Sequence, residues 1–63
     1  MIHLIVLDTV YNGIATFVIE NISLIINCRG TTVYTTDGKY TRVSESVEEI
    51  TKRINQIVYG NKY

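Results

Sequence analysis

The residues of this chain that could do chemistry are few, and their spacing does not gather them. His3 lies in an apolar run with no Ser, Cys or Asp placed around it. A general base must sit within hydrogen-bond reach of the proton it takes, so His3 reads as a surface or half-buried histidine. Cys28 stands beside Arg29, and one neighbouring cation is thin support for a reactive thiol. A small buried residue at a strand end is the preferred reading. Glu45, Glu48 and Glu49 form an acidic cluster, and Ser44 and Ser46 have no candidate base. The one Cys and one His are far apart, which argues against a zinc site. There is no phosphate loop, dinucleotide fingerprint or nucleophile motif. The chain is therefore not expected to be an enzyme, and no cofactor or metal is expected.

The elements that would position a binding surface are clearer. Ile2 to Val10 reads as a strand, Asn12-Gly13 as a type I′ turn, and Ile14 to Ile19 as the returning strand. A two-residue loop there pairs Tyr11 with Ile14, Thr9 with Thr16 and Leu7 with Val18. Glu20-Asn21 interrupts the run, and Ile22 to Ile26 resumes as a third strand. Cys28-Arg29-Gly30 reads as a turn and Thr31 to Thr36 as a fourth strand. Asp37-Gly38 is explained by turn chemistry and leads into a fifth strand, Lys39 to Val43. With Asp37-Gly38 as the loop, Tyr34 opposes Thr41 and Tyr40 opposes Thr35, so the two rings point to opposite faces.

Ser46-Val47-Glu48-Glu49 has the form of a capping box, in which the serine oxygen accepts a free N–H and Glu49 reaches back. The two glutamates also suit the positive end of a helix. Val47, Ile50, Ile54, Ile57 and Val58 form one apolar stripe, while Lys52, Arg53, Asn55 and Gln56 face away. Gly60 is placed to end the helix, with Tyr59 and Tyr63 near that end. Only Glu45 is left without a structural task.

Sixty-three residues make one domain, spanning 1–63. A chain this short buries only ~60% of the surface its unfolded form exposes. It is 46% hydrophobic, which is not a disordered composition. Six basic and six acidic residues cancel, so no basic field attracts a phosphate backbone. Nucleic-acid binding is accordingly the minority reading. The amino-terminal run lacks a preceding Lys or Arg and does not read as a signal peptide. No apolar stretch is long enough to span a membrane, and a lone cysteine fits a reducing cytoplasm.

The sequence expectation is an α+β domain: a twisted antiparallel sheet of four to five strands, with one C-terminal helix packed on it. One helix covers one face of such a sheet. The first hairpin is apolar on both, with Leu4, Val6, Val10, Phe17 and Ile19 on one side and Ile5, Leu7, Tyr11, Ile14 and Val18 on the other. Leftover apolar surface marks an interface; the competing reading is a curled sheet that buries both faces. A homo-oligomer, a dimer before any other, is expected through Ile5, Leu7, Tyr11 and Ile14. A protein partner is expected at Tyr34, Lys39, Tyr40 and Arg42.

One family shares much of this order. Met1-Ile2, Leu7, Asn12-Gly13, Phe17, Ile22 with Ile25, Thr32-Val33, Gly38-Lys39-Tyr40, Val43, Glu45-Ser46 and Glu48-Glu49-Ile50 with Ile54 resemble the small FlbD/SwrD-type proteins of flagellar and swarming motility. The resemblance implies a cytoplasmic accessory protein that acts by contact. The last third of the chain, from the Asp-Gly hairpin into the helix, also looks like a segment of small phage anti-CRISPR proteins, which implies stoichiometric inhibition of a host protein.

Overall fold

Runs of β-branched residues broken by short turns set the path of the chain. In the computed structural model, which describes residues 1–60, they form five strands and a helix. The strands are β1 (Leu4–Asp8), β2 (Ile14–Val18), β3 (Ile22–Asn27), β4 (Thr31–Thr35) and β5 (Tyr40–Val43), and the helix is α1 (Val47–Tyr59). A single 3-10 turn, Ile19–Asn21, separates β2 from β3. The α+β class with one C-terminal helix is the expected one.

The strands do not make one continuous sheet. β1–β2 is an antiparallel pair, and β3–β4–β5 is a separate antiparallel sheet. Glu20 in the 3-10 turn accepts the His3 N–H at 3.0 Å and pairs with His3 Nδ1. This holds the end of β2 beside the start of β1 and redirects the chain before β3. The two sheets meet through a bridge between Thr9 and Val43. Val10 N–H donates to the Arg42 carbonyl beside it, and Ser44 N–H to the Asp8 carbonyl.

The register of the first hairpin corrects the sequence reading. Leu7 pairs with Ala15 and Ile5 with Phe17. Thr9 and Gly13 close a three-residue loop, Val10 to Asn12: the Thr9 N–H and hydroxyl both donate to the Gly13 carbonyl, and the hydroxyl accepts the Gly13 N–H. Asn12 takes the positive φ of 69°. The slip is odd, so it moves side chains to opposite faces. Phe17 therefore joins Ile5 and Leu7 on the inner face.

The core is Ile5, Leu7, Phe17, Val33, Val43 and Ile50, with Ile22, Ile25 and Ile54 packed on it. Each such side chain contributes ~1.5–3 kcal/mol when fully buried. Ile22 and Ile25 share the core despite their odd separation because β3 carries an irregularity between Ile22 and Leu24. Ser23 is the extra residue, and its hydroxyl donates to the Tyr34 carbonyl at 3.3 Å.

The helix begins where expected. Ser46 Oγ accepts the Glu49 N–H at 3.0 Å, and Gly60 has φ 73° at the other end. The Glu49 carboxylate does not bond back to the cap. Val47, Ile50 and Ile54 face the sheets, while Ile57 lies at the edge of the stripe and is partly exposed. Arg53 does not face away. Its Nη2 donates to the Val6 carbonyl at 2.9 Å, and Nη1 lies 3.7 Å from Glu45. Glu45 in turn accepts the Asp8 N–H at 2.9 Å. Together these residues seal the outer edge of β1.

Candidate functional site

The outer face of the β3–β4–β5 sheet gathers most of the expected partner-binding residues. Its geometry begins at the second hairpin turn. Thr35 N–H donates to the Lys39 carbonyl and Gly38 N–H to the Thr35 carbonyl. The loop is thus three residues, Thr36 to Gly38, with Gly38 at φ 86°. Three-residue hairpin loops of this kind place a left-handed residue last, a position glycine fills without strain. Asp37 Oδ1 accepts the Thr35 hydroxyl at 2.6 Å and the Lys39 N–H at 3.1 Å. Those two donors, the hydroxyl first, hold its carboxyl below the ordinary range.

The extra loop residue changes which side chains meet. Tyr34 pairs with Tyr40, not Thr41. The two rings stand on the same face with centroids 5.6 Å apart and planes tilted by 43°, within the favoured range for aromatic pairs. Expecting them on opposite faces is corrected by this register.

Neighbouring rows extend the face. Leu24 pairs with Tyr34 on its other side, giving a row Leu24–Tyr34–Tyr40. The next row is Ile26–Thr32–Arg42. Leu24, Ile26, Tyr34 and Tyr40 are 50%, 40%, 36% and 66% exposed, whereas Thr32 between its neighbours is buried. Arg42 donates through Nη2 to the Arg29 carbonyl, which ties the β3–β4 turn to β5. Gly30 in that turn has φ 119°, and a Cβ there would come within 2.7 Å of Arg42 Nη2. Ile26, Cys28, Thr32, Tyr34, Tyr40 and Arg42 line a shallow dish of about 390 Å³. Cys28 is exposed there, not buried at a strand end.

The remaining expected residues divide. Lys39 precedes β5 and lines a different groove, with Thr16, Val18, Asp37 and Thr41. Ile5 and Leu7, expected on a self-association face, are buried in the core instead, because the hairpin register turns them inward. Tyr11 and Ile14 are each 72% exposed. Leu4 and Val6 are exposed on the outer side of β1 and join Ile14 there. Tyr63 lies outside the described residues. His3 is occupied by Glu20, whose carboxyl falls to about 2, first through its side-chain bond to His3 and then through the His3 N–H. Among the described residues no three His, Cys, Asp or Glu side chains come together to hold a metal, and no helix is long and apolar enough to cross a membrane.

Leu24 and Ile26 are the site residues that the sequence reading passed over. Their signal is the period-two alternation Leu24, Ile26 after Ser23, visible only once Ser23 is recognised as an inserted residue. The resulting surface is an apolar, aromatic platform with Arg42 at its rim. Compared with known proteins, the chain matches no family model, no curated protein and no solved structure.

Proposed function

We propose that this protein works without catalysis, as a small adaptor or stoichiometric inhibitor that binds another protein through the outer face of the β3–β4–β5 sheet. The observation that carries the reading is the exposed Tyr34–Tyr40 pair flanked by Leu24 and Ile26. Tyr and Arg are over-represented among residues that dominate binding energy. Here the two tyrosine rings already lean on each other across the ladder, so less side-chain entropy is lost on contact. Arg42 supplies a charged group at the rim, where it favours orientation more than affinity.

Both resemblances noted in the sequence fit such a module. A motility accessory protein and a phage inhibitor of a host protein would each use a contact surface of this kind, in a reducing cytoplasm where Cys28 stays a thiol. A tyrosine pair can also stack on the bases of a single strand, but the net charge of zero gives little attraction to phosphate.

The test compares the wild-type chain with the Tyr34→Ser/Tyr40→Ser double variant as affinity baits in lysate of the native host. Circular dichroism establishes that both are folded. The expected result is a discrete protein retained by the wild type and lost from the variant. Salt-sensitive gel shifts with single-stranded nucleic acid, abolished in the same variant, would replace the protein reading with the stacking one.

A further inference from the structure

β2 presents an edge with no ladder partner among the described residues, and Thr16 and Val18 on it line a groove shared with Asp37, Lys39 and Thr41 of the second hairpin. In the β1–β2 ladder, Ile5 faces Phe17 and Leu7 faces Ala15. Thr9 N–H donates to the Gly13 carbonyl and Ile19 N–H to the His3 carbonyl at the two ends. The backbone groups of Ala15, Phe17 and Ile19 therefore point to β1, and those of Ile14, Thr16 and Val18 point the other way. Among the described residues nothing pairs with them.

The edges of β1 and β3 are treated differently. β1 is sealed by Arg53 on Val6 and by Glu45 and Ser44 on Asp8, and the loop beyond it is held by Val10 N–H on the Arg42 carbonyl. β3 runs beside α1, with Ile22, Ile25, Val47 and Ile54 lining the groove between them. Edge strands that must stay unpaired usually carry a charge, a proline or a bulge. Ile14-Ala15-Thr16-Phe17-Val18 carries none of these.

We propose that β2 pairs antiparallel with β2 of a second copy of this chain, about a two-fold axis at Thr16. This deepens the proposed function by naming a self-association edge, on the sheet that does not carry the tyrosines. Thr16 then faces Thr16 of the second copy, and Ile14 faces the second copy's Val18. Each pair exchanges both backbone hydrogen bonds. The sequence favours a second copy over another strand because the pairing is self-complementary: threonine meets threonine, and aliphatic meets aliphatic. Asp8, the charged residue on this face of the pair, shares a row with Ile14 and then with the second copy's Val18 and Leu4, so no like charges meet. Leu4, Val6 and Ile14, now exposed, become one apolar strip across a four-stranded sheet.

The test is mass in solution by light scattering over a concentration series. Wild type should be dimeric and Thr16→Lys monomeric, since two ammonium groups would face each other at the axis. An equimolar mixture of Thr16→Lys and Thr16→Glu should recover the dimer. Independently of any variant, the Ile14, Thr16 and Val18 amides should exchange more slowly as wild-type concentration rises. Tyr40→Asp should leave the dimer intact. A wild type that is monomeric at millimolar concentration, edge amides whose exchange ignores concentration, or a dimer that survives Thr16→Lys and is lost in Tyr40→Asp would overturn the proposal. A monomeric wild type or concentration-independent edge amides would leave the tyrosine-face reading untouched, whereas a dimer lost only in Tyr40→Asp would place self-contact on the tyrosine face instead.

Discussion

Tyr34 and Tyr40 face each other across the β4–β5 ladder with ring centroids 5.6 Å apart. Two large aromatic side chains thereby share one exposed surface, and a third row-mate, Leu24, extends it. The pairing follows from the three-residue loop, which Gly38 completes at φ 86°.

Because these rings are exposed, their removal should separate binding from stability. Tyr40→Ala should lower the unfolding free energy by about 0.5–1 kcal/mol, the value of a cross-strand pair. It should weaken partner binding about thirtyfold, as expected for a residue contributing ~2 kcal/mol to an interface. Urea unfolding and calorimetric titration measure the two effects. A large stability loss with unchanged binding would place Tyr40 among the structural residues.

Ile50 and Ile57 lie on the same helix stripe but should behave differently. Ile50 is fully buried and Ile57 is 36% exposed. Ile50→Ala should cost about 2–5 kcal/mol, a large part of the ~3–9 kcal/mol available to a chain of this length. Ile57→Ala should cost under about 1 kcal/mol. Urea midpoints of the two variants give the comparison.

This contrast also shows what sequence reveals and what it hides. The helix was legible because its signals are local: Ser46 before Glu49, a regular stripe, Gly60 at the end. The ladders were not, because register depends on loop details. One additional loop residue beside Asp37 brings Tyr40 opposite Tyr34. Thr9 pairing with Gly13 around a three-residue loop sets Leu7 opposite Ala15 instead of Val18 and sends Ile5 and Leu7 inward. Ser23 hides the alternation that would have exposed Leu24 and Ile26 as surface residues. Arg53 reading the Val6 carbonyl joins residues 47 positions apart, and no local pattern announces such a contact. The surplus of apolar surface, in contrast, was legible from composition and helix count, though the residues that carry it are partly different ones.

Acid should loosen the junction between β1 and the 3-10 turn. The Glu20 carboxyl sits at about 2 in the folded chain, against an ordinary value of 4.5, first because it bonds the His3 side chain. A depressed carboxyl stabilises the fold at pH values above its unfolded pKa. That contribution fades as pH falls from about 4.5 and is gone once pH passes below about 2. Glu20→Gln should flatten the fall of stability with acid in this window. Carboxyl chemical shifts across an NMR titration should show Glu20 protonating near pH 2 when His3 is present, and at a higher pH in His3→Ala.

Gly30 and Gly38 predict different costs for the same substitution. A Cβ at Gly38 meets nothing within 4 Å, so Gly38→Ala should lose only about 1–2 kcal/mol through backbone strain. Gly30→Ala adds a clash with Arg42 Nη2 and should displace the guanidinium from the Arg29 carbonyl. It should therefore be the less stable variant and should also disturb the tyrosine face, visible as shifted Tyr34 and Tyr40 ring resonances. Equal stability and unmoved rings in both variants would show that Arg42 relaxes without consequence.

The central claim, that the tyrosine face meets another protein, is tested most directly by site-specific photocrosslinking in the native host. A benzoylphenylalanine replaces Tyr40 in one variant and the exposed helix residue Gln56 in another. The account predicts a discrete adduct to one different protein from position 40 and none from position 56. Identical adducts from both positions, or none from position 40 in a folded chain, would contradict it.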